Sequence, residues 1–217
     1  MHTTTFGFRN TVQLKGAYSN KPKAGEPLLV LAHGANGGME HPLLTGLASA
    51  LDAAGHTVLR FEFPYAAEGK KSPNADPVLE EAWFAVLEQV RQAVKPSRLI
   101  IGGKSLGGRS GSSILADDGS LADGILFLGF PLHAPGRYSA DRAAHLSRID
   151  KPVLFIQGTR DPLASRDLIS TVAEKHPRAE LHIINGADHS FRVPGRNESD
   201  VRAEIAKATA DWLSSIV

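Results

Sequence analysis

The sequence predicts an α/β fold with a mostly parallel central sheet and helices on both faces, formed by a single domain over residues 1–217. Short apolar runs of strand length alternate with longer segments of helical periodicity, which is typical of βαβ units in a parallel sheet. The length of 217 residues and the apolar content of 42% also suit one domain with one sizeable core.

Apolar runs predict the parallel strands, and the segments between them predict the helices. Residues 5–18 can hold one or two antiparallel edge strands ahead of the first run. Pro77 suits the first turn of a helix, with Asp76 before it as the N-cap. The predicted strands are about 28–33, 57–63, 98–102, 124–129, 153–157 and 180–184, and the predicted helices are about 42–54, 77–94, 106–116, 164–175 and 199–215.

The segment Gly103-Lys104-Ser105-Leu106-Gly107 lies between a predicted strand and a predicted helix. A strand, a sharp turn and a helix with the pattern Gly-x-Ser-x-Gly form a nucleophile elbow, which would carry Ser105 at its tip. Glycine is needed at 103 and 107 because bulkier side chains would collide with neighbouring backbone in so tight a turn. Taken alone, the pattern also fits an ordinary glycine-rich turn.

Two more polar residues follow later predicted strands, Asp161 after the fifth and His189 after the sixth. The chain order Ser105, Asp161, His189 is the order of nucleophile, acid and base in α/β-hydrolases. Because ligands bind at the carboxyl ends of parallel strands, these side chains can converge there. Asp188 is the alternative acid, although its position beside the base in sequence disfavours it. The alternative bases, none of which combines a strand end with this order, are His33, His41, His133, His145, His176 and His182.

A glycine-rich loop, His33-Gly34-Ala35-Asn36-Gly37-Gly38, follows the first predicted parallel strand. Acyl transfer to a serine requires N–H donors aimed at the developing oxyanion. We expect one donor at Leu106, directly after the nucleophile, and the other at Ala35, with Asn36 as the second choice. The alternative is a tight strand-to-helix connection without chemistry, in which His33 bonds nearby backbone.

Cationic side chains flank these loops. Such groups either attract an anionic substrate or pair with local carboxylates, and we favour the pairing. The cations are Lys104, Arg109, Arg160 and Arg192. The residues predicted to line the substrate site are Asn36, Lys104 and His133.

These motifs resemble a family of α/β-hydrolases that includes an NSL chromatin-complex subunit and a testis-expressed protein. The similarity covers roughly residues 28–195. It implies the α/β-hydrolase fold and the Ser105, Asp161 and His189 triad, but no particular substrate. A more distant similarity, in size and plan, is to dienelactone hydrolases, whose nucleophile is a cysteine that this chain lacks. The motifs that carry the main resemblance are His33-Gly34-Ala35, Met39-Glu40-His41-Pro42, Gly102 to Arg109, Gly129 to His133, His145-Leu146, Gly158 to Asp161 and Asp188 to Phe191.

The sequence therefore predicts a serine hydrolase that cleaves an ester, thioester or related acyl bond of a small molecule through an acyl-enzyme. Residues 130–152 are too few for a substantial cap domain, so we expect an open cleft that suits an exposed bond better than a buried lipid tail. Because part of the resembling family is known for its place in complexes, a non-catalytic binding or scaffold role is the alternative.

The composition limits the classes of partner and cofactor that we expect for this protein. The net charge of +1 favours neither nucleic acid nor an anionic membrane. With no cysteine, and no His, Asp and Glu cluster at ligand spacing, we expect neither a metal nor another cofactor. No signal peptide and no membrane-spanning run is recognisable, so a cytoplasmic location is expected.

Overall fold

The computed structural model describes residues 1–9 and 12–216. In these ranges one sheet carries the glycine-rich loop, the elbow and the loops that contain Asp161 and His189. The strands in these ranges are β1 (His2–Phe8), β2 (Val12–Tyr18), β3 (Leu28–Ala32), β4 (Thr57–Phe61), β5 (Leu99–Lys104), β6 (Gly124–Leu128), β7 (Val153–Gly158) and β8 (Ala179–Ile184). Their order across the sheet is β1-β2-β4-β3-β5-β6-β7-β8. β1 pairs antiparallel with β2, and β2 with β4, while the pairs from β4 to β8 are parallel. The predicted sheet is confirmed.

Helices connect the parallel strands, as the alternation of segments predicts. In the described ranges they are α1 (Pro42–Ala53), α2 (Pro64–Ala67), α3 (Asp76–Val94), α4 (Leu106–Asp117), α5 (Arg166–Glu174) and α6 (Glu198–Ile216), with a 3₁₀ helix at Asp141–Arg148. None of these helices is both long enough and apolar enough to cross a membrane.

Alternate residues of the central strands face two separate apolar layers. In β6, Ile125 and Phe127 pack into the layer formed with α3, α4 and α5. Leu126 and Leu128 pack into the opposite layer, formed with α1 and α6. Successive strand side chains point to opposite faces, so a strand buried on both faces consists of one continuous apolar run. Helices cover both faces of the sheet, as predicted.

Strand β4 is shorter than the sequence predicts, ending at Phe61. The backbone N–H of Phe63 leaves the sheet and donates to His33 Nε2 at 3.0 Å. Pro64 then begins the short helix α2, for which its fixed φ is suited. Apolar periodicity cannot predict this helix because four residues complete little more than one turn.

Helix α3 begins one residue earlier than predicted, and the assignment of Asp76 as its N-cap is wrong. The N-cap is Ala75, which makes no side-chain hydrogen bond there. The Asp76 carboxylate instead accepts two hydrogen bonds from Arg109, at 2.7 and 3.0 Å. The guanidinium offers two parallel hydrogen bonds from a charged donor, so the ion pair determines where this carboxylate points.

Residues 130–152 form no separate cap in the described part of the chain. Their 3₁₀ helix packs on α4. His145 Nε2 lies 2.7 Å from Ser112 Oγ, and Arg148 donates to Asp117 at 2.7 Å. Both contacts are on the half of α4 that is farther from Ser105, so this helix does not lie over the elbow.

Candidate active site

Ser105 occupies a strained turn between β5 and α4. Its φ of 50° and ψ of −109° lie outside the regions that non-glycine residues favour. Glycine on either side is a steric requirement, as predicted. A Cβ on Gly103 or on Gly107 would lie 2.6 Å from the carbonyl oxygen of Ala32. The Ser105 N–H donates to Leu128 O at 3.1 Å, which ties the turn to the end of β6.

The structure brings Ser105, Asp161 and His189 together at the carboxyl ends of β5, β7 and β8. Ser105 Oγ lies 3.0 Å from His189 Nε2. His189 Nδ1 lies 2.7 Å from Asp161 Oδ2. Since a carboxylate only accepts hydrogen bonds, the imidazole proton is on Nδ1, and the Nε2 lone pair faces the Ser105 hydroxyl. This tautomer can accept a proton from the serine.

Asp161 is buried and fully hydrogen-bonded. Besides His189, its Oδ2 accepts from Gln157 Nε2 at 2.6 Å, and its Oδ1 accepts from the Leu163 N–H at 2.8 Å. Gln157 is itself oriented, because its Oε1 accepts from the Phe130 N–H at 2.9 Å. Sequence reasoning treated Gln157 only as part of a strand. The sequence feature that could have indicated this role is a lone amide side chain at the end of an otherwise apolar run.

Asp188, the alternative acid, has a different set of partners. Its Oδ1 accepts from the backbone N–H groups of Ser190 and Arg192, at 2.8 and 2.9 Å. The side chain therefore closes the turn that carries His189 and leaves the imidazole to Asp161.

The glycine-rich loop after β3 is held by His33 and Tyr65. Because His33 Nε2 accepts from Phe63, the imidazole proton is on Nδ1, which donates to Gly34 O at 2.7 Å. Burial lowers the pKa of His33, so this neutral form persists. The Tyr65 hydroxyl donates to Gly34 O at 2.9 Å and lies 3.2 Å from Ala35 O. Burial raises the pKa of Tyr65 to about 12, so the hydroxyl remains a donor.

This arrangement fixes the direction of the N–H of Ala35, one of the two predicted oxyanion donors. In a trans peptide the C=O and the following N–H point in opposite directions, so turning the Gly34 carbonyl toward Tyr65 turns the Ala35 N–H away from it. The loop runs beside Ser105, since a Cβ on Gly34 would lie 3.8 Å from Ser105 Cβ. Leu106 begins α4, where N–H groups lack helical partners. Among the described residues, neither the Leu106 nor the Ala35 N–H donates to a protein acceptor.

The flanking cations differ in their surroundings. Arg109 is paired with Asp76, and Arg192 Nε lies 3.7 Å from Glu198. Arg160 is exposed at the surface. Lys104 is buried, and its ammonium donates to the main-chain oxygen of His189 at 2.6 Å.

The other predicted lining residues and the alternative bases lie as follows. Asn36 is exposed on the glycine-rich loop, and His133 is buried, with its Nδ1 3.0 Å from Ala134 O. His41 Nδ1 caps α1 by accepting from Leu43. The partners of the remaining alternative bases are Phe63 and Gly34 for His33, Ser112 for His145, Ile149 for His176 and Glu204 for His182.

Comparison with known proteins identifies the fold. Est1E of Butyrivibrio proteoclasticus, solved with ferulic acid bound, superposes with a TM-score of 0.80 at 14% identity, covering 98% of each chain. Dienelactone hydrolase of Anabaena variabilis gives 0.81 at 18% identity, over 100% of this chain and 97% of that one. A serine hydrolase without a lid from Xanthomonas campestris gives 0.74 at 19% identity, over 99% and 94%.

A family profile described as an alpha/beta hydrolase domain matches residues 25–216. That range contains the glycine-rich loop, the elbow and both loops that carry Asp161 and His189. The chain therefore belongs to the alpha/beta hydrolase family.

Proposed function

We propose that this protein is a serine hydrolase that cleaves an ester, a thioester or a related acyl bond of a small molecule. The observation that carries the proposal is the continuous set of contacts from Ser105 Oγ through His189 to Asp161, at 3.0 and 2.7 Å, on a strained elbow. A serine hydroxyl is a weak nucleophile at neutral pH, and these contacts are those that activate it.

In the proposed reaction, Ser105 Oγ bonds to the acyl carbon while its proton passes to His189 Nε2. Asp161 stabilises the resulting imidazolium, and the N–H groups of Leu106 and Ala35 bind the oxyanion of the tetrahedral intermediate. The bond to the leaving group then breaks, and His189 returns the proton to it. Water attacks the acyl-Ser105 ester with His189 again as the base, which releases the acid and restores the serine.

The surroundings of Ser105 favour a small or extended acyl group. The segment 130–152 supplies no separate cap, and the lidless hydrolase of Xanthomonas campestris shares this plan. A site without a cap suits an exposed acyl bond better than a buried lipid tail.

A binding or scaffold role is the second candidate. It is favoured by the resemblance of the motifs to the family that includes an NSL chromatin-complex subunit. A scaffold has no need of a hydrogen-bonded serine, histidine and aspartate, so chemical reactivity at Ser105 separates the two candidates.

The test is hydrolysis of p-nitrophenyl acetate and butyrate together with labelling by a fluorophosphonate. We expect Ser105→Ala to abolish labelling and to lower turnover by orders of magnitude, because nucleophile and base act as a unit. The matched control is Ser199→Ala, at an exposed serine, which should retain wild-type labelling and turnover. If wild type is neither labelled nor faster than Ser105→Ala, the hydrolase proposal fails and the binding role replaces it.

A further inference from the structure

Lys104, which directly precedes the nucleophile, is unusually deeply placed for a lysine. Its exposed fraction is 8%, although lysine is among the residues least often buried. Its Nζ donates to His189 O at 2.6 Å and lies 5.6 Å from the centroid of the Phe191 ring. Both contacts are made with the loop that carries the proposed base.

Gly129 leaves the space that the ammonium occupies. A Cβ at this position would lie 3.3 Å from Lys104 Nζ and 3.5 Å from both Cε1 and Nδ1 of His189. Its φ of +72° also favours glycine. The ammonium therefore lies where the end of β6, the elbow and the His189 loop meet.

This location does not suit the substrate-lining role that sequence reasoning gave Lys104. An ammonium that binds substrate must be reachable, whereas this one already donates to the protein's own backbone in a buried position. We propose that Lys104 is a positioning residue, whose ammonium ties the His189 loop to the elbow and holds His189 Nε2 in line with Ser105 Oγ. The inference rests on the proposed hydrolase function.

Protonation of Lys104 should determine the strength of its hydrogen bond to His189 O. Burial lowers the pKa of Lys104 to about 8, while Asp161 and Asp188 oppose the shift. The charge of Lys104 also acts on His41, because after burial it is the next cause of the lowered pKa of that imidazole. Among the described residues, these groups, His189 and Arg192 are charged or titratable groups on the surrounding loops. A charged donor makes a stronger hydrogen bond than a neutral amine, so the tie weakens as the pH rises through about 8.

The test is Lys104→Met, which keeps an unbranched apolar chain but removes the donor and its charge. We expect kcat for p-nitrophenyl butyrate to fall about ten- to a hundredfold, because small displacements of reacting groups are costly, with KM changed less than about twofold. Wild-type kcat/KM should decline above pH about 8, and this decline should be absent in Lys104→Met. Lys71→Met, at an exposed lysine, is the matched control and should retain the wild-type rate and pH profile.

The proposal is overturned if Lys104→Met keeps the wild-type kcat and pH profile. It is also overturned if KM rises at unchanged kcat, since the ammonium would then bind substrate. If Lys104→Met does not fold, the wild-type fluorophosphonate labelling rate decides, and the absence of a decline above pH about 8 overturns the proposal. Failure of the hydrolase function is distinguished by wild type itself, which would then match Ser105→Ala.

Discussion

At the scale of single residues, Asp161 and Asp188 show how environment assigns roles to two similar side chains. Each is close to His189 in space or in sequence. Asp161 accepts from the imidazole, from Gln157 and from a backbone N–H, so both of its oxygens are engaged. Asp188 accepts from two backbone N–H groups of the loop. The first arrangement orients the proposed base, and the second shapes the turn that carries it.

Replacing Asp161 by Asn should lower kcat about 10³–10⁴-fold without unfolding the protein. Three donors converge on the two carboxylate oxygens, and an amide supplies only one oxygen. His189 then favours the proton on Nε2, where it cannot accept the proton of Ser105. The measurement is hydrolysis of p-nitrophenyl acetate.

Asp188→Asn is the matched control for this change, because an amide oxygen can still accept from Ser190 and Arg192. An Asp188→Asn loss as large as the Asp161→Asn loss would contradict the assignment of the acid. The loss in Asp161→Asn should also stay below that of Ser105→Ala.

Tyr65→Phe should reduce kcat about tenfold or more at nearly constant KM. Among the described residues, the change leaves His33 as the only side-chain donor to the Gly34 carbonyl, so the Ala35 N–H is less firmly directed. Loss of a buried hydrogen bond costs about 1–3 kcal/mol. Steady-state kinetics check the prediction, with Tyr138→Phe as the control because Tyr138 is largely exposed. Equal kinetics for the two variants would rule out this role of Tyr65.

At the scale of elements, helix α4 has two distinct halves. Its first turn follows the elbow, and within the described residues the N–H of Leu106 donates to no protein acceptor. Its second half is a platform for the 3₁₀ helix at Asp141–Arg148. Ser112 accepts from His145 Nε2 while donating to Arg109 O at 2.8 Å. The segment that could have formed a lid is thereby held against α4.

Ser112→Ala should lower the free energy of unfolding by about 1–3 kcal/mol, because His145 Nε2 loses its partner in a half-buried site. Urea unfolding measures this effect. Fluorophosphonate labelling of Ser105 should stay at the wild-type rate, since the contact lies on the far half of α4. Ser147→Ala, at an exposed serine of the 3₁₀ helix, should stay within about 0.5 kcal/mol of wild type. Equal stability of both variants would show that the contact does not hold the segment.

Sequence reasoning succeeded where the signal is local. Strands such as β6 and β7 are continuous apolar runs, and the elbow glycines follow from the steric limits of one turn. It was wrong about Asp76, because a guanidinium 33 positions later in the chain takes its carboxylate. Tyr65 and Gln157 were missed for the same reason, since Tyr65 bonds Gly34 in the loop after β3 and Gln157 bonds Phe130 in the loop after β6.

At the scale of the whole molecule, buried and half-buried histidines link stability to pH. Burial is the main cause of the lowered pKa of His33, His56 and His145. A folded state with a lowered histidine pKa binds fewer protons than the unfolded state, so stability rises with pH across that titration. The contribution is complete above the unfolded pKa of about 6.5 and is lost as the pH falls through the folded pKa.

The urea midpoint should therefore fall between pH 7.5 and pH 6, because the unfolded chain binds protons on these histidines that the folded protein does not. Burial also raises the pKa of Glu62 and Glu80 above its ordinary value of 4.5. A raised carboxyl pKa makes stability fall as the pH rises, which opposes the effect of the histidines, but this titration begins at a lower pH. A His145→Gln variant should show a smaller fall than wild type. A midpoint that is constant or higher at pH 6 would contradict this linkage.

The position of His189 beyond the edge strand β8 has a consequence for biosynthesis. During translation the glycine-rich loop and Ser105 are synthesised well before Asp161, and His189 is synthesised last. This order follows from the order of their strands in the chain. The elbow can therefore form on β3, β5 and β6 while no base is yet available to it. In the proposed mechanism, Ser105 can therefore be activated only after β8 has joined β7, because His189 is made after the other residues of the site.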